Sequence, residues 1–242
     1  MTIEMEHDHR LRWMDFDRYG RMQPTAMLDL FQELAITHAE ELGIGRDAML
    51  ENNVVWVVVR TKLEVVREPK FGSVVTVRTW PHSLSRFSFI RDFAMRDEEG
   101  NLLVKATQEW VLMDFESRKF ASAKDAYHGE HDFDDARAFE SKPRKISDID
   151  DMPEEPSYTV VPSFTDIDVN GHVNNAMYAN YVVNALNPGP EGAIRTLQID
   201  YRHEALPGVP LDLYLREDEG RIVAKALNPE GGIAFVCAIE LR

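Results

Sequence analysis

The 242-residue sequence holds a single cysteine, Cys237, which excludes an internal disulfide and any cysteine-cluster metal site and fits a reducing compartment. A lone cysteine of this kind is more often a small buried hydrophobe than a nucleophile. Apolar runs such as Val54–Val59 are far shorter than the ~20 residues that a membrane helix needs. The first ten residues are acidic and histidine-rich instead of signal-like, so the chain is expected to stay in the cytoplasm. Positive charge is scarce: 27 Lys and Arg face 42 Asp and Glu, for a formal net charge of -15. That charge repels phosphate backbones and anionic lipid, so neither nucleic acid nor a membrane is expected as a partner.

What the sequence does hold is a duplication. Asp15-Phe-Asp-Arg-Tyr-Gly20 recurs as Asp166-Ile-Asp-Val-Asn-Gly171, Val65-Val-Arg-Glu68 with Gly72 as Tyr201-Arg-His-Glu204 with Gly208, and Arg96-Asp-Glu-Glu-Gly100 as Arg216-Glu-Asp-Glu-Gly220. The three matches keep their order while their offset shrinks from 151 to 136 to 120 positions, as expected if the second copy has shorter connections. We divide the chain into residues 1–125, an acidic, proline-containing linker over 126–157, and residues 158–242.

Within the first copy, Ala26, Met27, Leu30, Phe31, Leu34, Ala35, His38, Ala39 and Leu42 recur at helical spacing between Pro24 and Gly43. Strand-like runs follow over Val54–Val66, Val74–Trp80, Phe87–Met95 and Leu102–Met113. The second copy repeats the plan, with a helix over about Asn174–Leu186 and strands near Ala193–Arg202, Val209–Arg216, Arg221–Ala226 and Ile233–Leu241. The fold class is therefore α+β, each half a long helix wrapped by an antiparallel sheet.

Polar groups concentrate in Asp166-Ile-Asp168-Val-Asn170-Gly171-His172-Val-Asn174-Asn175, just before the second helix, where backbone donors can meet an oxyanion. The D-x-D-x-N-G run imitates a calcium loop, but its twelfth position is Met177, where a bidentate glutamate is required, so no metal is expected. The first copy lacks this chemistry: Arg21 stands at the position of His172, Tyr19 at Asn170 and Gln23 at Asn174, whereas Glu68 matches Glu204. One copy is specialised.

At these residues the chain resembles the acyl carrier protein thioesterase family, whose second domain has a signature like Asp168-Val-Asn170-Gly-His172-Val-Asn174-Asn175. Leu30–Gly43, Val55-Trp56 with Arg60, Thr79-Trp80-Pro81 and Glu109–Asp114 are similar to further family landmarks. The resemblance implies a tandem double hot-dog and a cofactor-free hydrolysis of fatty acyl thioesters on acyl carrier protein. It implies an active site of Asp168, Asn170, His172 and Glu204, and an acyl-chain cavity shaped by the first domain. Met27, Leu30, Phe31, Leu34, Val55 and Val57 are candidates to line that cavity. Plant members have a cysteine after the glutamate; Ala205 stands there here, so water activated by Glu204 and His172 is the expected nucleophile. An acidic carrier must overcome the overall charge through a basic patch drawn from Arg60, Lys62, Arg67, Arg86, Arg118, Lys142, Arg144 and Lys145.

Three other readings stay open on sequence alone: a non-catalytic acyl-binding protein, an acyl-coenzyme A thioesterase, and a dehydratase that leaves the thioester whole. The duplication supplies in one chain the two-domain unit that other hot-dog proteins make by dimerising, and a homodimer of the whole chain is compatible with it.

Overall fold

The structure is a computed structural model and describes residues 3–83, 88–122, 133, 136–147 and 151–242. Its first half runs β1 (Met5–Arg10), α1 (Pro24–Glu41), α2 (Arg46–Glu51), β2 (Val54–Val65), β3 (Val74–Pro81), β4 (Phe89–Asp97), β5 (Leu102–Asp114) and β6 (Phe120–Ala121). Its second half runs β7 (Tyr158–Val160), α3 (Met177–Leu186), β8 (Ile194–Tyr201), β9 (Leu211–Asp218), β10 (Arg221–Leu227) and β11 (Ile233–Leu241). Among the described residues the strands form one eleven-stranded sheet in the order β1-β3-β4-β5-β2-β8-β11-β10-β9-β7, with β6 on β5. The order is a palindrome once the duplication is applied, each strand of one half facing its counterpart across the β2–β8 seam. This is the double hot-dog that the family resemblance implies.

The long helices form where the periodicity places them. Pro24 opens α1 at a position where its missing N–H costs nothing, and Gly43, at φ +67°, ends it in the left-handed region. Met27, Leu28, Phe31, Leu34, Ala35 and His38 make its buried face, and Phe31 stacks on Phe93 of β4 with ring centroids 5.0 Å apart. Helix α3 begins three residues later than the pattern predicts, because the Asn174 side-chain oxygen accepts the Ala176 N–H at 2.9 Å and turns the chain first. The two helices meet through a Thr25 hydroxyl that donates to Asn180.

The halves join as β2 pairs with β8, Arg60 opposite Asp200 and Leu63 opposite Leu197. Asp200 is 1% exposed and accepts from Arg60 Nε at 2.7 Å, from the Ile146 amide at 2.8 Å and from Gln198 Nε2 at 2.9 Å. Arg60 Nη1 also reaches Glu109 Oε2 at 2.6 Å. The described part of the linker is thus no loose spacer: its Pro143 and Arg144 carbonyls accept from Arg60 and Gln198, and Ile146 is buried against Val223 and Val236.

These contacts correct the expected docking patch. Arg60 is sequestered at the seam, Lys142 pairs with Glu109, Lys62 sits over the Phe139 ring and Arg67 lies 4.0 Å from Asp97, while Arg86 lies outside the described residues. Among the described residues, no helix is long and apolar enough to cross a membrane.

Replacing Arg60 with Met removes the closest cation from the buried Asp200, which keeps Arg202 at 3.5 Å, and leaves Glu109 to Lys142, so we expect a loss of roughly 1–3 kcal/mol in chemical denaturation. The double variant Arg60→Met, Asp200→Leu should recover part of it; a single variant as stable as the native protein would refute this role of the seam.

Candidate active site

The two copies fold the same short hairpin. In the second, Ile167 bridges Val173, the Asp168 N–H donates to the His172 carbonyl at 2.9 Å, and Gly171 turns the chain at φ +81°. In the first, Phe16 bridges Met22, Asp17 N–H donates to the Arg21 carbonyl at 2.8 Å, and Gly20 sits at φ +76°. Glycine is needed at both turns because an L side chain there is strained. The shared aspartate holds the turn itself: Asp168 Oδ1 accepts the Asn170 N–H and Asp17 Oδ1 the Tyr19 N–H, each at 2.8 Å. Asp166 is likewise spent on the Ser163 N–H at 2.7 Å, so the calcium-like run is a pair of turn caps.

His172, which the first copy lacks, meets Glu204, which it keeps as Glu68. His172 Nε2 lies 3.5 Å from Glu204 Oε2, their side chains 34% and 49% exposed. The two loops are tied by Val173 N–H to the Ala205 carbonyl at 3.4 Å. Tyr178 of α3 fixes the glutamate loop from beneath, its hydroxyl accepting the Ala205 N–H at 3.1 Å. Burial, helped by the Glu204 and Asp168 charges, pushes the Tyr178 hydroxyl up to about 12, so it remains protonated at neutral pH.

Two further residues arrive from the first copy. Arg118 Nη1 donates to Glu204 Oε1 at 3.2 Å, and Arg46 Nε donates to Asn170 Oδ1 at 3.4 Å. Arg118 belongs to a hairpin capped by Asp114, which accepts from Ser117 and Asn53, and it adopts φ +56°. Arg46 opens α2, an element too short for the sequence pattern to mark, so sequence reasoning missed it. Of the expected basic patch, Arg118 is the member that, among the described residues, touches these site residues.

In the first copy the counterpart is closed. Arg21 Nε donates to Asp17 at 2.8 Å and its Nη1 to the Gly189 carbonyl at 3.0 Å, which draws the loop after α3 over the position. Burial pushes the Glu68 carboxyl up, with Arg242 and Arg21 pulling it back. Cys237 is fully buried in β11, and desolvation raises its thiol far from the reactive range.

The candidate chain-lining residues do not share one surface. Met27, Phe31 and Leu34 are in the main core with Leu30 packed against it. Val55 and Val57 fall on the other face of β2, since Val54, Trp56 and Val58 point toward the helices. A separate apolar cluster lies beside α2, with Met49, Val54, Phe89 and Leu112 at its centre and Ile44, Trp56 and Trp110 packed on it. Trp56 meets Phe89 edge-on at 4.4 Å and donates Nε1–H to the Ile44 carbonyl at 3.1 Å. Among the described residues, no group of three His, Cys, Asp or Glu is arranged to hold a metal.

Residues 3–130 match the model of the acyl-ACP thioesterase N-terminal domain and residues 148–226 that of its C-terminal domain. The chain belongs to the acyl-ACP thioesterase family. It is 28% identical over 191 residues to a chloroplastic acyl-[acyl-carrier-protein] hydrolase of Cuphea viscosissima, covering 74% of this chain and 46% of the relative. With oleoyl-acyl carrier protein thioesterase 1 of Arabidopsis thaliana it is 28% identical over 196 residues, 73% of this chain and 53% of the relative. The chain thus spans about half the length of these curated relatives. Its fold superposes on an acyl-ACP thioesterase from Bacteroides thetaiotaomicron with a TM-score of 0.89 at 22% identity, covering 99% of this chain and 98% of the other. The 12:0-ACP thioesterase of Umbellularia californica gives 0.86 at 23% identity, covering 100% and 98%.

Two tests follow from this geometry. Tyr178→Phe strands the buried Ala205 N–H and should cost about 1–3 kcal/mol in denaturant unfolding, with the fold retained; unchanged stability would remove Tyr178 as the support of the loop. Because the folded protein raises the Glu68 carboxyl, its ionised form opposes folding above the folded pKa. Glu68→Gln should therefore raise the melting temperature at neutral pH, and the gain should fade as pH falls below the ordinary carboxylate range. A pH-independent difference would contradict the assignment.

Proposed function

We propose that the protein hydrolyses the thioester of a fatty acyl chain carried on acyl carrier protein, releasing free fatty acid and the thiol form of the carrier. The observation that supports this best is the His172–Glu204 pair beside Asn170, present in one copy and replaced in the other by a locked arginine. Such a pair can take a proton from water attacking the thioester carbonyl. A carbon–oxygen bond forms, the carbon–sulfur bond breaks, and the proton passes to the departing sulfur.

Asn170 presents its carbonyl oxygen to Arg46, while its amide nitrogen lies 3.5 Å from Asp168 and can donate to the substrate carbonyl oxygen. The amides at the start of α3 are poor candidates for that task. Asn174 N–H donates to the Asp166 carbonyl, Ala176 N–H to the Asn174 side chain and Met177 N–H to the Asn174 carbonyl. The Arg118 guanidinium, beside Glu204, is the further positive charge available to the developing oxyanion.

In this reading the first copy holds the chain and the second performs the chemistry, with the acyl chain in the aromatic cluster beside α2. Arg46 and Arg118, each about half exposed, give an acidic carrier a local positive rim on a chain of net charge -15. Exposed Phe164, Val169 and Leu206 flank the motif and add apolar contact area. The same reading places the protein in fatty acid biosynthesis, in the cytoplasm.

Thiol release from matched acyl carrier protein and acyl-coenzyme A thioesters should be faster with the carrier, and Glu204→Gln and His172→Ala should each lower turnover by about a hundredfold or more. Preference for the coenzyme would overturn the carrier assignment. Dehydration of a 3-hydroxyacyl thioester without thiol release would indicate a dehydratase, and acyl binding with no reaction a carrier-like role.

A further inference from the structure

The inner face of the first copy's sheet, the face that looks at α1, is not uniformly apolar. Cross-strand partners define its rungs: Trp56 with Leu112, then Phe89 with Trp110, then Arg91 with Gln108 and Thr61, then Phe93 with Ala106 and Leu63. The first two rungs belong to the apolar cluster beside α2 and the fourth to the main core. The third rung is polar, and it is what separates the two clusters.

Arg91 is 8% exposed and its Nη1 contacts His38 Nδ1 at 3.0 Å and donates to Thr79 Oγ1 at 3.2 Å. A guanidinium only donates, so His38 Nδ1 must accept and the ring is neutral with its proton on Nε2. Among the described residues no carboxylate pairs with Arg91, and burial draws its guanidinium down to about 10. Among the described residues, Gln108 Oε1, on a residue 5% exposed, has no partner, and the Trp110 Nε1 one rung nearer the site is likewise unmet. A buried cation ordinarily has a carboxylate beside it, because the cost of removing it from water is otherwise several kcal/mol. The seam of this same protein provides such partners for Arg60; the Arg91 rung does not.

We propose that this rung is the distal end of the acyl-chain chamber and that it binds a hydroxyl on the chain, whose oxygen accepts from Arg91 and whose proton is donated to Gln108 Oε1. The chain enters past His172 and Glu204, lies along Trp56, Phe89 and Trp110, and meets Arg91 and Gln108 about 13 Å beyond Leu112, four residues along β5. A plain hydrocarbon chain of that reach would press methylenes against an unneutralised guanidinium, whereas a hydroxylated chain supplies the missing acceptor. Arg91 is thus a specificity-determining residue, and the inference rests on the thioesterase reading of the site.

The test compares thiol release from carrier-bound saturated and hydroxy chains of equal length, in the native protein and in Arg91→Met and Gln108→Leu, with circular dichroism melts to confirm folding. Arg91→Met should lower the hydroxy-to-saturated ratio of kcat/KM by about tenfold or more, the worth of a hydrogen bond to a charged group. Gln108→Leu should move it in the same direction, and it serves alone if Arg91→Met does not fold. A ratio unchanged in the folded variants would overturn the proposal. If the native protein releases no thiol from any substrate, the thioesterase reading fails instead. The rung is then tested by calorimetric binding of free hydroxy and saturated fatty acids, where equal affinities would reject it.

Discussion

The pairing of β2 with β8 is the contact on which the remainder of the molecule depends. It converts two half-sheets into one and sets the spacing of α1 and α3. It also buries Asp200 of the second half against Arg60 of the first, which already faces Glu109. Such a cluster contributes little net stability against a well-packed apolar substitute, but it penalises any slipped register heavily, since a shift of one residue would strand each charge. The linker adds to this specification by donating the Ile146 amide to the same carboxylate. Register at the seam, not apolar area alone, is what places one copy's loops against the other's.

That placement explains the asymmetry of the two hairpins. Both keep the aspartate and glycine that the turn requires, because these are conditions of backbone geometry and not of chemistry. The positions free of that demand have diverged. Where the second copy presents a carboxamide to Arg46 and sets an imidazole beside the carboxylate that accepts from Arg118, the first copy has an arginine tied down by its own aspartate and by the loop after α3.

Much of this was legible in the sequence because it is periodic or repeated. The helix pattern from Met27 to Leu42, the four strand runs of each copy and the doubled Asp-x-Asp-x-x-Gly segment all follow from local rules, and the palindromic strand order is their direct consequence. The elements that escaped are short and lack a pattern. Strand β1, Met-Glu-His-Asp-His-Arg, sits at the sheet edge where charge is favoured, and α2 is six residues with no full apolar stripe. Their loss mattered, since α2 delivers Arg46 to Asn170. Val55 and Val57 were grouped with the helix residues because a run of valines hides which members face inward. The Arg60 charge looked available because burial by a partner 140 positions away leaves no local trace.

The composite character of the site makes assembly of the sheet a condition of its existence. While the second half of a nascent chain has yet to close on the first, Asn170 and Glu204 stand apart from Arg46 and Arg118, and the chain has the parts of the site without the site. The same logic orders the response to damage. A lesion at the seam, remote from every group at the motif, acts on the distance between the loops of the two copies and so on the composite geometry they share.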